Sequence, residues 1–193
     1  MVVAAAMLAI GCSKGSDDAA QPRTTVPTAP ALTTTTNPYA VPEVIDVAYV
    51  NRVLAGLDAV TGDALRMAVD AGYVTDEVLK RLRALYAEQT LGIQVDGFTN
   101  DARAGRESFR GGNQKTTVTK LFTGSTTCIF AQVARDLSAV VESPSPELAT
   151  QWVALRPLDP TRDPSRLNPT PWIYVYDGFK KDHSQPANPC GES

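Results

Sequence analysis

A chain of 193 residues with a formal net charge of −3 is large enough for one domain with its own core, and it carries no basic block of the kind that nucleic acid binds. Its single histidine, His183, falls in a polar segment near the end of the chain, and there are only three cysteines. This small number of histidines and cysteines argues against a histidine-based catalytic triad and against a zinc or copper site. The sequence therefore predicts no catalytic residues, no metal and no cofactor.

The N-terminus carries an apolar run, residues 1–11, that ends in a small residue and a cysteine, Ala9-Ile10-Gly11-Cys12. This tetrapeptide resembles the lipobox of bacterial lipoproteins, in which the cysteine becomes the acylated (palmitate-bearing) N-terminus. Residues 1–11 are too few for a membrane span, which needs about 20 apolar residues. We expect a signal peptide over 1–11, lipidation of Cys12, and anchoring at the outer face of the cytoplasmic membrane through lipid alone. An ordinary secretory signal, or an apolar terminus with a free thiol, are the alternatives.

A Thr/Pro-rich stretch follows, and it includes the run Thr33-Thr34-Thr35-Thr36. Such a composition buries too little apolar surface to offset its ordering entropy. Together with Cys12, residues 12–41 are therefore predicted to be a disordered linker that tethers a domain over 42–180.

The domain opens with helical periodicity. Pro42 and Glu43 suit a helix N-terminus, and the first helix is expected to break near Thr61-Gly62. A second helix is predicted from Thr75, a good N-cap, with a less regular far end from Leu91 to Gly105. The apolar positions that repeat at helical spacing in the first helix are Val44, Val47, Val50, Val53, Leu54 and Leu57.

After Gly111-Gly112 the period of the apolar pattern changes from 3.6 to 2. A β-hairpin is predicted from Thr116–Phe122 and Thr127–Arg135, followed by strands at Trp152–Leu155 and Trp172–Tyr176. The connection 157–171 holds five prolines and is predicted equally well as a binding loop or as a structural strap. Helices followed by strands indicate an α+β domain, with the N-terminal helices packed on a curved antiparallel sheet.

This order of elements, after a lipobox and a Thr-rich tether, resembles secreted actinobacterial lipoproteins whose folded part is similar to the nuclear transport factor two-like superfamily, a cystatin-like α+β cone. The resemblance covers about 43–180. It implies helices that cover a curved sheet, and secreted members of that kind often serve as noncatalytic accessory or partner-binding domains. Enzymes of the superfamily use acidic or Tyr/His dyads inside the cone, but no motif here allows such a residue to be assigned.

Two cysteines remain in the part of the chain that we expect to be exported, Cys128 in a predicted strand and Cys190 in the C-terminal tail. An even pair in an exported domain favours a disulfide, which would pin the tail, residues 181–193, to the sheet.

Strand alternation gives a hypothesis for partner binding. If the aliphatic residues of the last two strands face the helices, then Trp152, Trp172 and Tyr174 form an aromatic patch on the opposite face. The alternative, at least as common for large apolar rings, is that these aromatic side chains lie inside the domain. The sequence thus favours a noncatalytic anchored lipoprotein domain that binds an extracytoplasmic protein or an envelope component, with a homodimer as one candidate assembly. The alternative is a small-molecule or lipid-binding pocket with weak Asp/Tyr acid–base chemistry. A cavity of a few hundred Å³ with a desolvated carboxyl group would favour this alternative.

Overall fold

The computed structural model of the chain describes residues 37–146, 149–178 and 184–191. The predicted signal peptide (1–11), the lipidation site Cys12 and most of the predicted linker lie outside these ranges. The predicted tail, 181–193, is described only over 184–191.

Within the described residues, helices come first and strands second, as the α+β prediction requires. The strands form one antiparallel sheet in the order β1-β2-β3-β4. The helices are α1 (Val47–Ala71), α2 (Asp76–Leu85) and α3 (Glu88–Ala104), and the strands are β1 (Lys115–Gly124), β2 (Ile129–Asp136), β3 (Thr150–Pro157) and β4 (Trp172–Gly178). The predicted α+β class, the hairpin and both later strands are confirmed.

Helix α1 begins later than predicted and does not break. Its N-cap is Asp46, whose carboxylate accepts a hydrogen bond from the backbone N–H of Tyr49 at 2.7 Å, so Pro42 and Glu43 precede the helix. Helical hydrogen bonding continues through Thr61 and Gly62. Gly62 allows Asn113 to pack closely against α1, because a Cβ at this position would lie 2.0 Å from the side-chain oxygen of Asn113.

The second predicted helix is two helices. Between α2 and α3 the chain is extended at Tyr86, which forms a parallel bridge with Tyr174 of β4. The backbone N–H of Ala87 donates to the carbonyl of Tyr174 at 2.8 Å. The expectation of one helix was wrong because these two residues pair with the sheet instead of continuing the helix.

The sheet has apolar residues on both faces. The helix-facing side contributes Ile129, Val133 and Val153 to the main core, in which the three helices also pack. On the other face a smaller group, here called the outer-face cluster, consists of Phe130, Trp152 and Ala154 with partly buried neighbours Phe122, Val175, Tyr176 and Cys190. The predicted Cys128–Cys190 disulfide is present, with Cα atoms 5.7 Å apart, and it holds the end of the tail against this cluster.

Buried hydrogen bonds hold the connection between β3 and β4 against the rest of the domain. The carboxylate of Asp163 accepts from the backbone N–H groups of Leu167 and Asn168, at 3.0 and 2.7 Å. The amide of Asn168 donates to the carbonyls of Ala84 in α2 and Trp172 in β4, at 3.0 and 2.7 Å. These contacts favour the structural-strap alternative for residues 157–171.

None of the helices in the described part of the chain combines the length and the apolar character needed to cross a membrane.

Candidate functional site

The three aromatic residues predicted to bind a partner are buried. The exposed fractions are 3% for Trp152, 0% for Trp172 and 1% for Tyr174. The prediction of an exposed aromatic patch is therefore wrong.

The error has two physical causes. In the register of β3 with β4, Ala154 pairs with Tyr176 while Leu155 pairs with Tyr174, so Val175 is an extra residue that shifts the register. Such a bulge reverses the alternation of side chains, and Trp172 and Tyr174 consequently face the helices.

Trp152 does lie on the face opposite the helices, as alternation predicted. The other members of the outer-face cluster cover it there, and they include Cys190, which the disulfide holds in place. Trp172 is anchored in the main core, where its indole N–H donates to the hydroxyl of Tyr49 at 2.8 Å.

A cavity of about 310 Å³ lies between α1, α3 and the helix-facing side of the sheet. Exposed lining residues on α3 and just after it, including Gly97, Asp101, Ala104 and Ser108, mark its mouth. The wall is mainly apolar and is formed by Leu65, Val69, Phe98, Phe109, Leu137, Val140 and Val141. Its polar lining comes from Thr61, Tyr86, Gln94, Gln114, Arg135, Gln151 and Asp177.

A buried ion pair dominates this polar lining. Nη2 of Arg135 donates to Oδ1 of Asp177 at 2.5 Å, and the two side chains are only 9% and 2% exposed. Nη1 of Arg135 donates to Oε1 of Gln151 at 2.7 Å, and the hydroxyl of Tyr86 donates to Oδ2 of Asp177 at 3.4 Å. The Nε–H of Arg135, in contrast, has no hydrogen-bond partner in the described structure.

The environment fixes the charge state of this pair. Burial acts to lower the pKa of the Arg135 guanidinium, but the nearby Asp177 carboxylate more than offsets this, and the pKa is raised. Burial, followed by the charge of Asp177, raises the pKa of the Tyr86 phenol. A general base works best with a pKa near the operating pH, so Tyr86 acts here as a neutral hydrogen-bond donor.

A second buried carboxylate, that of Asp58, accepts a hydrogen bond from Gln114, a residue of the cavity lining. Oδ1 of Asp58 accepts from Nε2 of Gln114 at 2.7 Å and from the hydroxyl of Thr116 at 2.8 Å, while Oδ2 accepts from the backbone N–H of Thr116 at 2.7 Å. Burial raises the pKa of the Asp58 carboxyl, although these hydrogen bonds oppose the shift. Asp58 thereby fixes the orientation of Gln114, which lines the cavity.

Sequence reasoning missed both members of the ion pair. The signal for Arg135 was present, because Arg135 continues the alternate positions Ile129, Ala131 and Val133, which face the helices. Asp177 carried no such signal, since the bulge at Val175 lies between it and the rest of β4.

No group of three or more His, Cys, Asp or Glu side chains is arranged to hold a metal ion in the ranges that the structure describes. Comparison of the chain with protein-family models, with curated proteins and with solved structures found no match.

Proposed function

We propose that this protein is a noncatalytic binding protein for a small, mainly apolar molecule, which it holds in the cavity between α1, α3 and the sheet. The observation that carries this proposal is the cavity of about 310 Å³, with its mainly apolar wall and the buried Arg135–Asp177 pair in its lining. Of the two functions weighed from the sequence, the partner-binding surface loses support because Trp152, Trp172 and Tyr174 are buried.

Physical reasons favour a ligand over an unfilled space. Protein interiors are close-packed, so an open and mainly apolar space of this size is larger than the ordinary packing defects of a domain. Small-molecule sites are concave, mostly apolar, from about 300 Å³ upward, and contain a few convergent polar groups. The resemblance of the sequence to the nuclear transport factor two-like cone, which rests on the order of its elements, is part of this proposal.

The same proposal places the protein outside the cytoplasmic membrane, anchored through a lipid on Cys12. The lipobox-like Ala9-Ile10-Gly11-Cys12 supports the anchor, and the Cys128–Cys190 disulfide suits an oxidising compartment. Cys12→Ser is expected to move the protein from the membrane fraction to the soluble exported fraction. An unmodified Cys12 by mass spectrometry, or a membrane fraction unchanged by Cys12→Ser, would contradict the anchor.

Two glycines on α3 provide a matched test of the cavity. Gly92 and Gly97 are both exposed, and a Cβ built on either meets no atom within 4 Å, but only Gly97 lines the cavity. Leucine in place of either glycine gains about 0.5–1 kcal/mol of helix propensity. We expect Gly97→Leu to narrow the mouth and to weaken binding of the neutral dye Nile red by about tenfold or more, whereas Gly92→Leu binds it like the unmodified protein.

The measurement is a fluorescence titration of the purified full chain. Equal affinities in the two leucine variants, or a dye that binds neither variant nor the unmodified protein, would contradict a ligand site in this cavity.

A further inference from the structure

The charged residues of the cavity lining determine which ligand charge the cavity can accept. Among the described residues that line it, three carry a charge, namely Arg135, Asp177 and Asp101. Nη2 of Arg135 lies 2.5 Å from Oδ1 of Asp177, so these two side chains form an ion pair that contributes no net charge. The carboxylate of Asp101 is therefore the one uncompensated charge in the described lining, and it gives the cavity an acidic balance.

The position of Asp101 on α3 places it on the side of the helix that faces the cavity. Residues three and four apart share one face of an α-helix. The residues at these spacings on both sides of Asp101 also line the cavity, namely Gly97, Phe98, Ala104 and Gly105. Asp101 is itself exposed at the mouth, so a ligand that enters from solvent can reach its carboxylate.

No group in the described part of the chain neutralises Asp101. Its carboxylate has no hydrogen-bond or ion-pair partner there, and burial raises its pKa without an opposing contribution from a donor or a cation. A carboxylate that loses solvent without gaining a donor or a counter-ion is held at a cost in free energy. A cation supplied by a ligand would remove part of this cost.

The arginines that follow Asp101 in the sequence do not supply that cation. Arg103 is two residues away and therefore about 200° around the helix from Asp101. Nη2 of Arg106 forms an ion pair with Oδ1 of Asp70 at 2.8 Å, and Nη1 of Arg110 donates to a backbone carbonyl at 3.2 Å. None of these three arginines lines the cavity, so an anionic ligand would meet a carboxylate at the mouth and no free positive charge in the described lining.

Building on the proposed function, we propose that the ligand is an apolar molecule that carries one cationic amine. Its apolar body lies against the aliphatic and aromatic wall of the cavity, and its ammonium group stays at the mouth, where it pairs with the carboxylate of Asp101. An ammonium group at the mouth keeps part of its hydration, so the pair avoids the desolvation cost of a fully buried charge. The same arrangement disfavours a molecule of similar shape that carries a carboxylate.

Three probes with the same 4-butylphenyl body test this preference. They are 1-(4-butylphenyl)ethylamine, which is a cation at neutral pH, 4-butylacetophenone, which is uncharged, and 4-butylbenzoate, which is an anion. Each is titrated against the Nile red complex of the full chain, and the loss of dye fluorescence is measured. We expect the amine to bind about threefold or more tightly than the ketone, and the carboxylate to bind more weakly than the ketone, because an ion pair at a partly exposed site contributes a factor of this size.

Two aspartates of α3 provide matched variants. Asp96 and Asp101 are both exposed, but only Asp101 lines the cavity. Asp101→Asn removes the negative charge and keeps the shape of the side chain, so the amine should lose its advantage over the ketone. Asp96→Asn changes the net charge of the protein by the same amount and should leave the order of the three probes unchanged.

The outcomes distinguish this inference from the proposed function. If the dye and the ketone bind to the unmodified protein but the amine binds no more tightly than the ketone, or the carboxylate matches the amine, the cavity holds ligands and the preference for a cation is wrong. An amine advantage that persists in Asp101→Asn would contradict the role of Asp101. If neither the dye nor any probe binds, the proposed function is wrong as well. Circular dichroism establishes that each variant is folded, and the comparison of the three probes on the unmodified protein decides the preference even if a variant fails to fold.

Discussion

At the scale of single residues, Arg135 and Asp177 carry the argument for a binding site. Removing two charges from water costs several kcal/mol per ion, and mutual attraction repays this only when the hydrogen bonds are complete. Each oxygen of Asp177 accepts one hydrogen bond, whereas the Nε–H of Arg135 lacks a partner in the described structure. Apolar residues of similar volume often stabilise a fold as well as a buried ion pair does, and for this reason the pair is part of the proposed binding site rather than of the argument for stability.

Asp58 leads to a prediction about pH. Burial raises the pKa of its carboxyl, so the folded protein keeps the Asp58 proton at pH values where the unfolded chain has lost it. Stability therefore falls as pH rises from the ordinary aspartate pKa of about 4 to the raised value. Asp58→Asn lacks this titration. Urea unfolding at a series of pH values should show that the stability advantage of the unmodified protein over Asp58→Asn shrinks as pH rises through that interval.

A stability difference that changes with pH in the opposite direction would contradict a raised pKa for Asp58. If the advantage grew with pH, the hydrogen bonds from Gln114 and Thr116 would outweigh burial, and the pKa of Asp58 would be lowered in the folded state.

At the scale of elements, the sequence predicts whether a segment is helix or strand more accurately than it predicts which other segments that element contacts. The period-2 patterns around Gly124-Ser125 are local, and the predicted hairpin is correct. The break between α2 and α3 at Tyr86 is not local in this way. It depends on β4, a strand about 90 residues later in the chain, because the backbone at Tyr86 pairs with that strand. The bulge at Val175 depends likewise on the register between β3 and β4, so alternation alone placed Trp172 and Tyr174 on the wrong face.

The tail element gives a prediction about the disulfide. Cys128 and Cys190 close a segment with a sequence separation of 62, for which the chain-entropy relation gives about 4 kcal/mol of stabilisation. The double variant Cys128→Ala/Cys190→Ala should lose stability on that scale and release the tail from the outer-face cluster. Trp152, which is 3% exposed, should then contact water and shift its fluorescence emission to longer wavelength.

A Trp152→Phe change in the same background is the control for this shift. It removes the reporter while Trp172 stays in the main core, so the change in emission should disappear. An emission spectrum that does not change when the disulfide is lost would show that the tail covers Trp152 without the covalent link.

At the scale of the whole molecule, the two faces of the sheet have different roles. The outer face is closed by its aromatic cluster and by the disulfide-held tail. The helix-facing side carries the main core and leaves the cavity beside α3. The sequence could predict the α+β class from its periodicities, but it could not predict this cavity, because an interior void depends on how α1 and α3 are placed against the sheet.

The central claim is that this cavity holds a small molecule, and the most direct measurement locates a bound probe. The full chain, labelled at its Leu and Val methyl groups, is saturated with 4-butylacetophenone, and nuclear Overhauser effects between probe and methyl groups are recorded. We expect contacts with Leu65, Val69 and Val140 in the cavity wall. Contacts only with the exposed residues Val41, Val44 and Val47, or no contacts at saturating probe, would contradict the claim.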